Sequence, residues 1–217
     1  MKKDLTELVF ILDRSGSMGG LESDTIGGYN AMLKKQKEND GEAVITTVLF
    51  DDELELLHDR ISIHGIRPIT EKEYFVRGTT ALLDAMGKAM QKIINVQRNT
   101  IDELKAEKVL FVITTDGQEN ASREYGYAQI KAMIEKQKRD FNWEFIFLGA
   151  NIDATEEASK FGIDEDRVAE FHNDAVGIEM NYASVSDAIT ELRSNKNLSA
   201  NWKKAIDEDY KKRKKKS

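Results

Sequence analysis

The sequence contains no cysteine. A disulfide framework and a thiolate metal site are therefore excluded, which is compatible with a reducing cytosol. The histidines, His58, His64 and His172, show no metal-ligand spacing, and no motif places one beside a serine. They read as surface or hairpin residues. The sole proline, Pro68, falls in an irregular stretch at 59–79. No apolar run approaches the about 7–15 residues of a secretory core or the about 20 of a membrane span. Lys2 and Lys3 imitate the start of a leader, but Asp4 and Glu7 follow too soon. A soluble, cytoplasmic protein with no membrane partner is the expectation. Repeats, low-complexity linkers and a second apolar core are missing as well, so the 217 residues suit one large domain.

Charge of one sign is scarce only in places. Net charge is −7, yet Lys211, Lys212, Arg213, Lys214, Lys215 and Lys216 supply six positive charges, leaving −13 for the rest. So acidic a body argues against nucleic acid as the main ligand. The basic run could touch nucleic acid or an acidic partner, but a solvated, frayed terminus is the favoured reading.

What is present is an alternation of strand-like and helix-like segments. Strands are expected at 8–12, 43–50, 109–114, 145–148 and, more weakly, 167–171. A return strand at 53–58 follows a turn at Asp51-Asp52. Helices are expected at 25–39, 80–97, 122–142 and 154–161, at the end of 175–194, and in the charged C-terminal segment. In 80–97, Leu83, Met86, Met90, Ile93 and Ile94 recur at three- and four-residue steps, which makes one apolar face. In 122–142, Ile130, Met133, Ile134 and Phe141 are expected to face inward. Thr70-Glu71-Lys72-Glu73 has a capping-box pattern that implies a short helix. The alternation implies an α/β fold: a doubly wound, mostly parallel central sheet with one antiparallel edge strand and helices on both faces. Residues 1–194 form this domain, and 195–217 a charged helix and basic tail.

The run Leu8-Val9-Phe10-Ile11-Leu12 is too short for a helix of its own and suits a strand buried on both faces. It ends in Asp13-Arg14-Ser15-Gly16-Ser17. A cluster of oxygen donors without nitrogen or sulfur suits a hard cation such as Mg²⁺. Two further polar clusters follow, Gly78-Thr79-Thr80 at a helix entry and Thr114-Thr115-Asp116-Gly117 at a strand end. In a parallel sheet all strand carboxyl ends share one edge, where ligands bind. Asp13, Ser15, Ser17, Thr80 and Asp116 can therefore converge.

Taken together, these motifs resemble those of the von Willebrand factor type A domain, also called the integrin I-like domain. Asp-x-Ser-x-Ser, a distant Thr and a distant Asp stand in the order of its metal-ion-dependent adhesion site. The stretches Gly78-Thr79-Thr80-Ala81-Leu82-Leu83-Asp84-Ala85-Met86 and Thr115-Asp116-Gly117-Gln118-Glu119-Asn120 extend the likeness, which runs from about Thr6 to Arg193. The resemblance implies that Ser15 and Ser17 bind the cation through their hydroxyls. It implies that Thr80 binds directly or through water, and that Asp13 and Asp116 act mainly through bridging waters. Motif register favours Thr80 over its neighbour Thr79. The implied cation is Mg²⁺, with Mn²⁺ as a substitute and Ca²⁺ a poorer fit. The implied partner is a protein presenting an Asp or Glu carboxylate to an open coordination position. In the family the last helix shifts when that carboxylate binds, which here points to the segment ending near Arg193.

Each residue has a plainer reading. Ser15 and Ser17 could cap the following helix, Thr80 could be an N-cap, and Asp116 before Gly117 could be a turn residue. Gly27-Gly28 inside a helix costs about 1 kcal/mol per glycine against alanine; it marks either close approach to the metal loop or a slight kink. Asn151 and Asp153 follow a strand and could line the same edge, although Asp153 also suits a helix start. Two other functions compete with a binding module. A Mg²⁺-dependent hydrolase or phosphoryl-transfer enzyme wants more direct carboxylates and a base, and the haloacid dehalogenase pattern needs an Asp where Ser15 stands. Gly16-Ser17-Met18-Gly19-Gly20 does not match a dinucleotide loop. A structural subunit of an intracellular complex would need no cation at all. Oligomeric state is open.

Overall fold

The computed structural model describes residues 1–194 and 197–214. Among them, six strands form one sheet: β1 (Lys2–Asp13), β2 (Glu42–Phe50), β3 (Leu54–Ser62), β4 (Ala106–Thr115), β5 (Glu144–Ala150) and β6 (Val168–Phe171). Their order across the sheet is β3-β2-β1-β4-β5-β6. Only the β2–β3 pair is antiparallel, and β3 is an edge, as the sequence implies. Strand β1 lies inside, with Leu8 paired to Ile45 on one side and to Leu110 on the other.

Alternation along β1 explains the two layers of helices. Successive strand side chains point to opposite faces. Leu8, Phe10 and Leu12 enter a core shared with α1 (Glu22–Lys37) and α5 (Ala175–Arg193). Val9 and Ile11 enter a second core shared with α2 (Leu82–Asn99), α3 (Tyr127–Phe141) and α4 (Ala154–Phe161). All five β1 residues are at most 1% exposed. Burying each such side chain contributes about 1.5–3 kcal/mol, so one short run anchors both cores. The fold is thus doubly wound, and all strand carboxyl ends except that of β3 lie on one edge.

Several elements begin or end where a polar contact decides. Asp153 accepts the Glu156 N–H at 2.8 Å and starts α4, and Gly162 at φ +78° ends it. No helix forms at Thr70. Glu73 does close the capping box on the Thr70 N–H at 2.7 Å, but only a single turn forms. Tyr74 then donates from its hydroxyl to the Asp13 carbonyl at 2.5 Å, and the Arg77 N–H reaches the Arg14 carbonyl at 2.9 Å. Those contacts draw the chain out along the β1 loop. Helix α3 starts five residues later than its periodicity predicts because Asp84 accepts the N–H groups of Arg123, Glu124 and Tyr125, each at 2.9 Å. Ile130 and Ile134 face the core as expected; Met133 is half-buried, and Phe141, at the helix end, is 58% exposed rather than inward.

The Gly27-Gly28 pair does mark a close approach, but not to the β1 loop. A Cβ on Gly28 would lie 2.3 Å from Tyr182 Cδ2 of α5, whereas one on Gly27 would meet nothing. The C-terminal segment is more than a solvated tail. Leu198, Trp202 and Ile206 join the β1 core, and α6 (Lys204–Lys214) lies against β6. Arg213 of the basic run is ion-paired to Asp174 and Asp209. Lys215 and Lys216 lie outside the described residues, as do 195 and 196 of the polar break.

Candidate metal centre

The carboxyl end of β1 opens into a tight loop in which Gly16–Met18 make a single helical turn. Asp13, at the strand's last position, is 2% exposed and both its oxygens are occupied. Oδ1 accepts the Ser15 N–H at 2.7 Å, and Oδ2 accepts the Thr115 hydroxyl of β4 at 2.6 Å. Burial pushes this carboxyl up; the hydrogen bonds from Ser15 and Thr115 offset part of that. Asp13 thereby ties its own loop to the neighbouring strand end.

Ser15 and Ser17 hold their hydroxyl oxygens 3.0 Å apart. Ser15 precedes the turn but makes no side-chain capping bond. Ser17 donates instead to Asp116 Oδ1. Thr80 is not a cap either: Ala81 holds the position before α2, with no side-chain cap. Thr80 is 3% exposed, while Thr79 is exposed, so only Thr80 turns inward. Its N–H donates to Asn120 Oδ1 at 3.0 Å, and its carbonyl accepts the N–H groups of Asn120 and Ala121. The Gly78 carbonyl, at a residue with φ +65°, accepts the Gly16 N–H at 3.2 Å and ties the two loops together.

The three loops face a common point. A Cβ built on Gly117 would sit 3.5 Å from Thr80 Oγ1 and 3.6 Å from Ser17 Oγ. Asp116, 2% exposed, accepts Ser17 on one oxygen and Asn173 Nδ2 on the other, the latter at 2.8 Å. Burial, reinforced by the charge on Asp13, pushes the Asp116 carboxyl up to about 6. Asp13, Ser15, Ser17, Thr80 and Asp116 are therefore brought together. Asn151 and Asp153 are not part of this hydrogen-bonded set; Asp153 caps α4.

The donor set fits a small hard cation. Cis ligands of octahedral Mg²⁺ at 2.0–2.1 Å lie about 2.9 Å apart, close to the 3.0 Å between Ser15 Oγ and Ser17 Oγ. Two buried carboxylates without a basic partner in the loop are a place where positive charge is favourable. Among the described residues no group of three or more His, Cys, Asp or Glu could hold a metal; a cation here would have to use the hydroxyls as well.

Four contributors escaped the sequence reading. Thr115 and Asn120 were within a recognised motif, but the bonds of Thr115 to Asp13 and of Asn120 to Thr80 were not visible. Tyr74 and Asn173 stand in loops with no periodicity to flag them. Beside the site, Arg14 is wholly buried, donating from Nε to Asp51 Oδ2 at 2.8 Å and from Nη1 to Glu55 at 2.6 Å. Asp51 is thus a buried ion-pair partner and more than a turn residue.

No protein-family model and no curated protein matches the sequence. Solved structures do. Proximal thread matrix protein 1 from mussel byssus, with a zinc-occupied MIDAS motif, aligns at TM-score 0.57 and 14% identity over 85% of this chain and 46% of that one. A von Willebrand factor type A protein from Catenulispora acidiphila aligns at 0.57 and 14% over 85% and 42%. The manganese-loaded TRAP protein of Plasmodium vivax aligns at 0.55 and 18% over 84% and 74%. The chain spans less than half the length of the first two. Its fold is that of a von Willebrand factor type A domain.

Proposed function

We propose that the chain is a divalent-cation-dependent protein-binding module whose site takes a carboxylate from its partner. The observation that carries this reading is the convergence of the Ser15, Ser17 and Thr80 hydroxyls beside two carboxylates already engaged by protein donors. When bound, a cation supplies a poorly neutralised positive point that attracts an anionic oxygen. The protein's part is to keep it so. Ser15 and Ser17 offer neutral oxygens. Asp13 is held back by Ser15 N–H and Thr115, and Asp116 by Ser17 and Asn173, so neither carboxylate is free to neutralise the cation directly. Metal-loaded structural neighbours support a divalent ion here; Mg²⁺ is the cation we propose, with Mn²⁺ as its laboratory substitute.

A binding role is favoured over catalysis by the same bonds. Among the described residues the Ser15 and Ser17 hydroxyls are engaged with each other and with Asp116, and no histidine or lysine is bonded to either, whereas hydroxyl nucleophiles are commonly activated by such a base. Calorimetric titration with Mn²⁺, then with an acidic peptide bearing one Asp or Glu, tests the reading. Wild type is expected to bind the metal, and the peptide only with metal. The Ser15→Ala/Ser17→Ala variant is expected to bind neither. Peptide binding unaffected by EDTA would refute the role. Metal-dependent phosphatase turnover abolished in Asp13→Ala would replace it with the enzyme reading.

A further inference from the structure

Three consecutive residues after β6 each make a different long-range contact. Asn173 Nδ2 donates to Asp116 Oδ2 at 2.8 Å. On its two sides, His172 and Asp174 are held by α6. The His172 ring stacks on Tyr210 with centroids 4.7 Å apart, and its Nε2 donates to the Tyr210 carbonyl at 3.3 Å. Asp174 Oδ2 accepts from Arg213, while its Oδ1 caps α5 on the Gly177 N–H at 2.9 Å. Tyr210 is itself fixed by donating to Glu170 of β6 at 2.5 Å.

The amide of Asn173 is oriented by charge, since only its NH₂ group can face a carboxylate. That leaves Oδ1 as the second polar atom, and it is buried without a partner. A buried acceptor without a partner is an unmet hydrogen bond, and it lies on the residue that already holds Asp116.

We propose that Asn173 is a positioning residue of the metal centre, and that α6 sets its position by gripping His172 and Asp174. Asn173 pins the Asp116 oxygen that Ser17 leaves free, and its Oδ1 would be available to a donor at the metal centre. This deepens the proposed function and rests on it. The helix involved lies beyond α5, and the contacts of Tyr210 and Arg213 with His172 and Asp174 connect it to the centre. Residues that orient metal ligands from outside change affinity by about 10–100-fold.

The test is Mn²⁺ binding by the full chain, read from the free-ion electron paramagnetic resonance signal. The variants are Asn173→Ala, Arg213→Ala, Tyr210→Phe, Arg213→Lys and the combinations of the first with the next two. Asn173→Ala is expected to weaken binding at least about tenfold. Arg213→Ala and Tyr210→Phe are expected to weaken it about fivefold or more, with Arg213→Lys recovering most of the loss. In the Asn173→Ala background neither is expected to weaken it further. Circular dichroism in EDTA identifies any variant that fails to fold, and Tyr210→Phe, which removes one hydroxyl, keeps the test usable if Arg213→Ala does. Unchanged affinity in the α6 variants, or full additivity with Asn173→Ala, would overturn the inference and leave the metal centre standing. Absence of Mn²⁺ binding in wild type would overturn both.

Discussion

Replacing Asp51 by alanine strands Arg14 in the interior. Both side chains are fully buried, with Arg14 Nε 2.8 Å from Asp51 Oδ2. The same carboxylate holds Arg77 Nε at 2.7 Å and the Glu53 N–H at 2.7 Å. Removing one partner of a buried pair costs about 3–5 kcal/mol. Glu55, half-exposed, stays on Arg14 Nη1, which places the loss at the lower end. A chain of this size loses about 2–4 °C of Tm per kcal/mol, so Asp51→Ala is expected to melt roughly 6–12 °C lower at pH 7. Removing both charges with Arg14→Met/Asp51→Val should cost less than the single change, since an apolar pair needs no compensation. Acid sharpens the test. Burial alone would raise the Asp51 carboxyl, but the bonds from Arg77, the Glu53 N–H and Arg14 outweigh it and hold it below its ordinary value. A carboxyl depressed in the fold contributes fully above its unfolded pKa of about 3.9 and loses that contribution as pH falls through the folded value. The gap between wild type and Asp51→Ala should therefore narrow below about pH 4. Thermal unfolding followed by circular dichroism in EDTA measures all of this. A loss under about 2 °C at pH 7, or a double variant worse than the single one, would refute the reasoning.

Other expectations follow from packing, charge and cation binding. Gly27→Ala is expected to raise Tm by about 2–4 °C, the gain of about 1 kcal/mol for alanine in a helix. Gly28→Ala is expected to lower it, because its Cβ would meet Tyr182 at 2.3 Å and overpacking costs about 1–3 kcal/mol; equal melting of the two variants would contradict the α1–α5 contact. Arg60→Ala removes the cation 2.9 Å from Glu7, whose carboxyl burial already raises. A raised carboxyl makes stability fall as pH rises through the gap between its unfolded and folded values, and losing Arg60 widens that gap. The variant is expected to lose roughly 3 kcal/mol at pH 8 and less at pH 5, measured by urea unfolding at both. Free Mg²⁺ at about 100 times its dissociation constant should stabilise wild type by about 2.7 kcal/mol, or roughly 5–11 °C, and leave Ser15→Ala/Ser17→Ala unmoved in a thermal-shift assay.

How much was legible depended on whether a residue belonged to a periodic element. Leu8 to Leu12 announced a central strand because every position is apolar, and the hydroxyls beyond Asp13 were placed by that strand's end. Thr80 and Asp116 were readable because a parallel sheet puts its strand carboxyl ends on one edge. Asn173 carries no such signal: it stands between a four-residue strand and a helix cap. Phe141 satisfied the helical period yet lies at the exposed end of α3, where the sheet no longer covers it. Thr70 to Glu73 formed their local bonds, but Tyr74 and Arg77 prefer the β1 loop to a second helical turn. Gly28 announced a close approach without naming Tyr182, 154 positions away, as the neighbour.

The interior position of β1 also governs how the chain emerges during synthesis. Its partner β2 follows closely, but its other partner, β4, ends at Thr115. At ~5–20 residues per second, the roughly one hundred residues between them take ~5–20 s to make. Throughout that time one edge of Leu8–Leu12 lacks its neighbour, a condition that invites aggregation. Asn173 arrives later still. On the role proposed for Asn173, tight cation capture waits until translation has passed β6, long after the Asp13 loop was made.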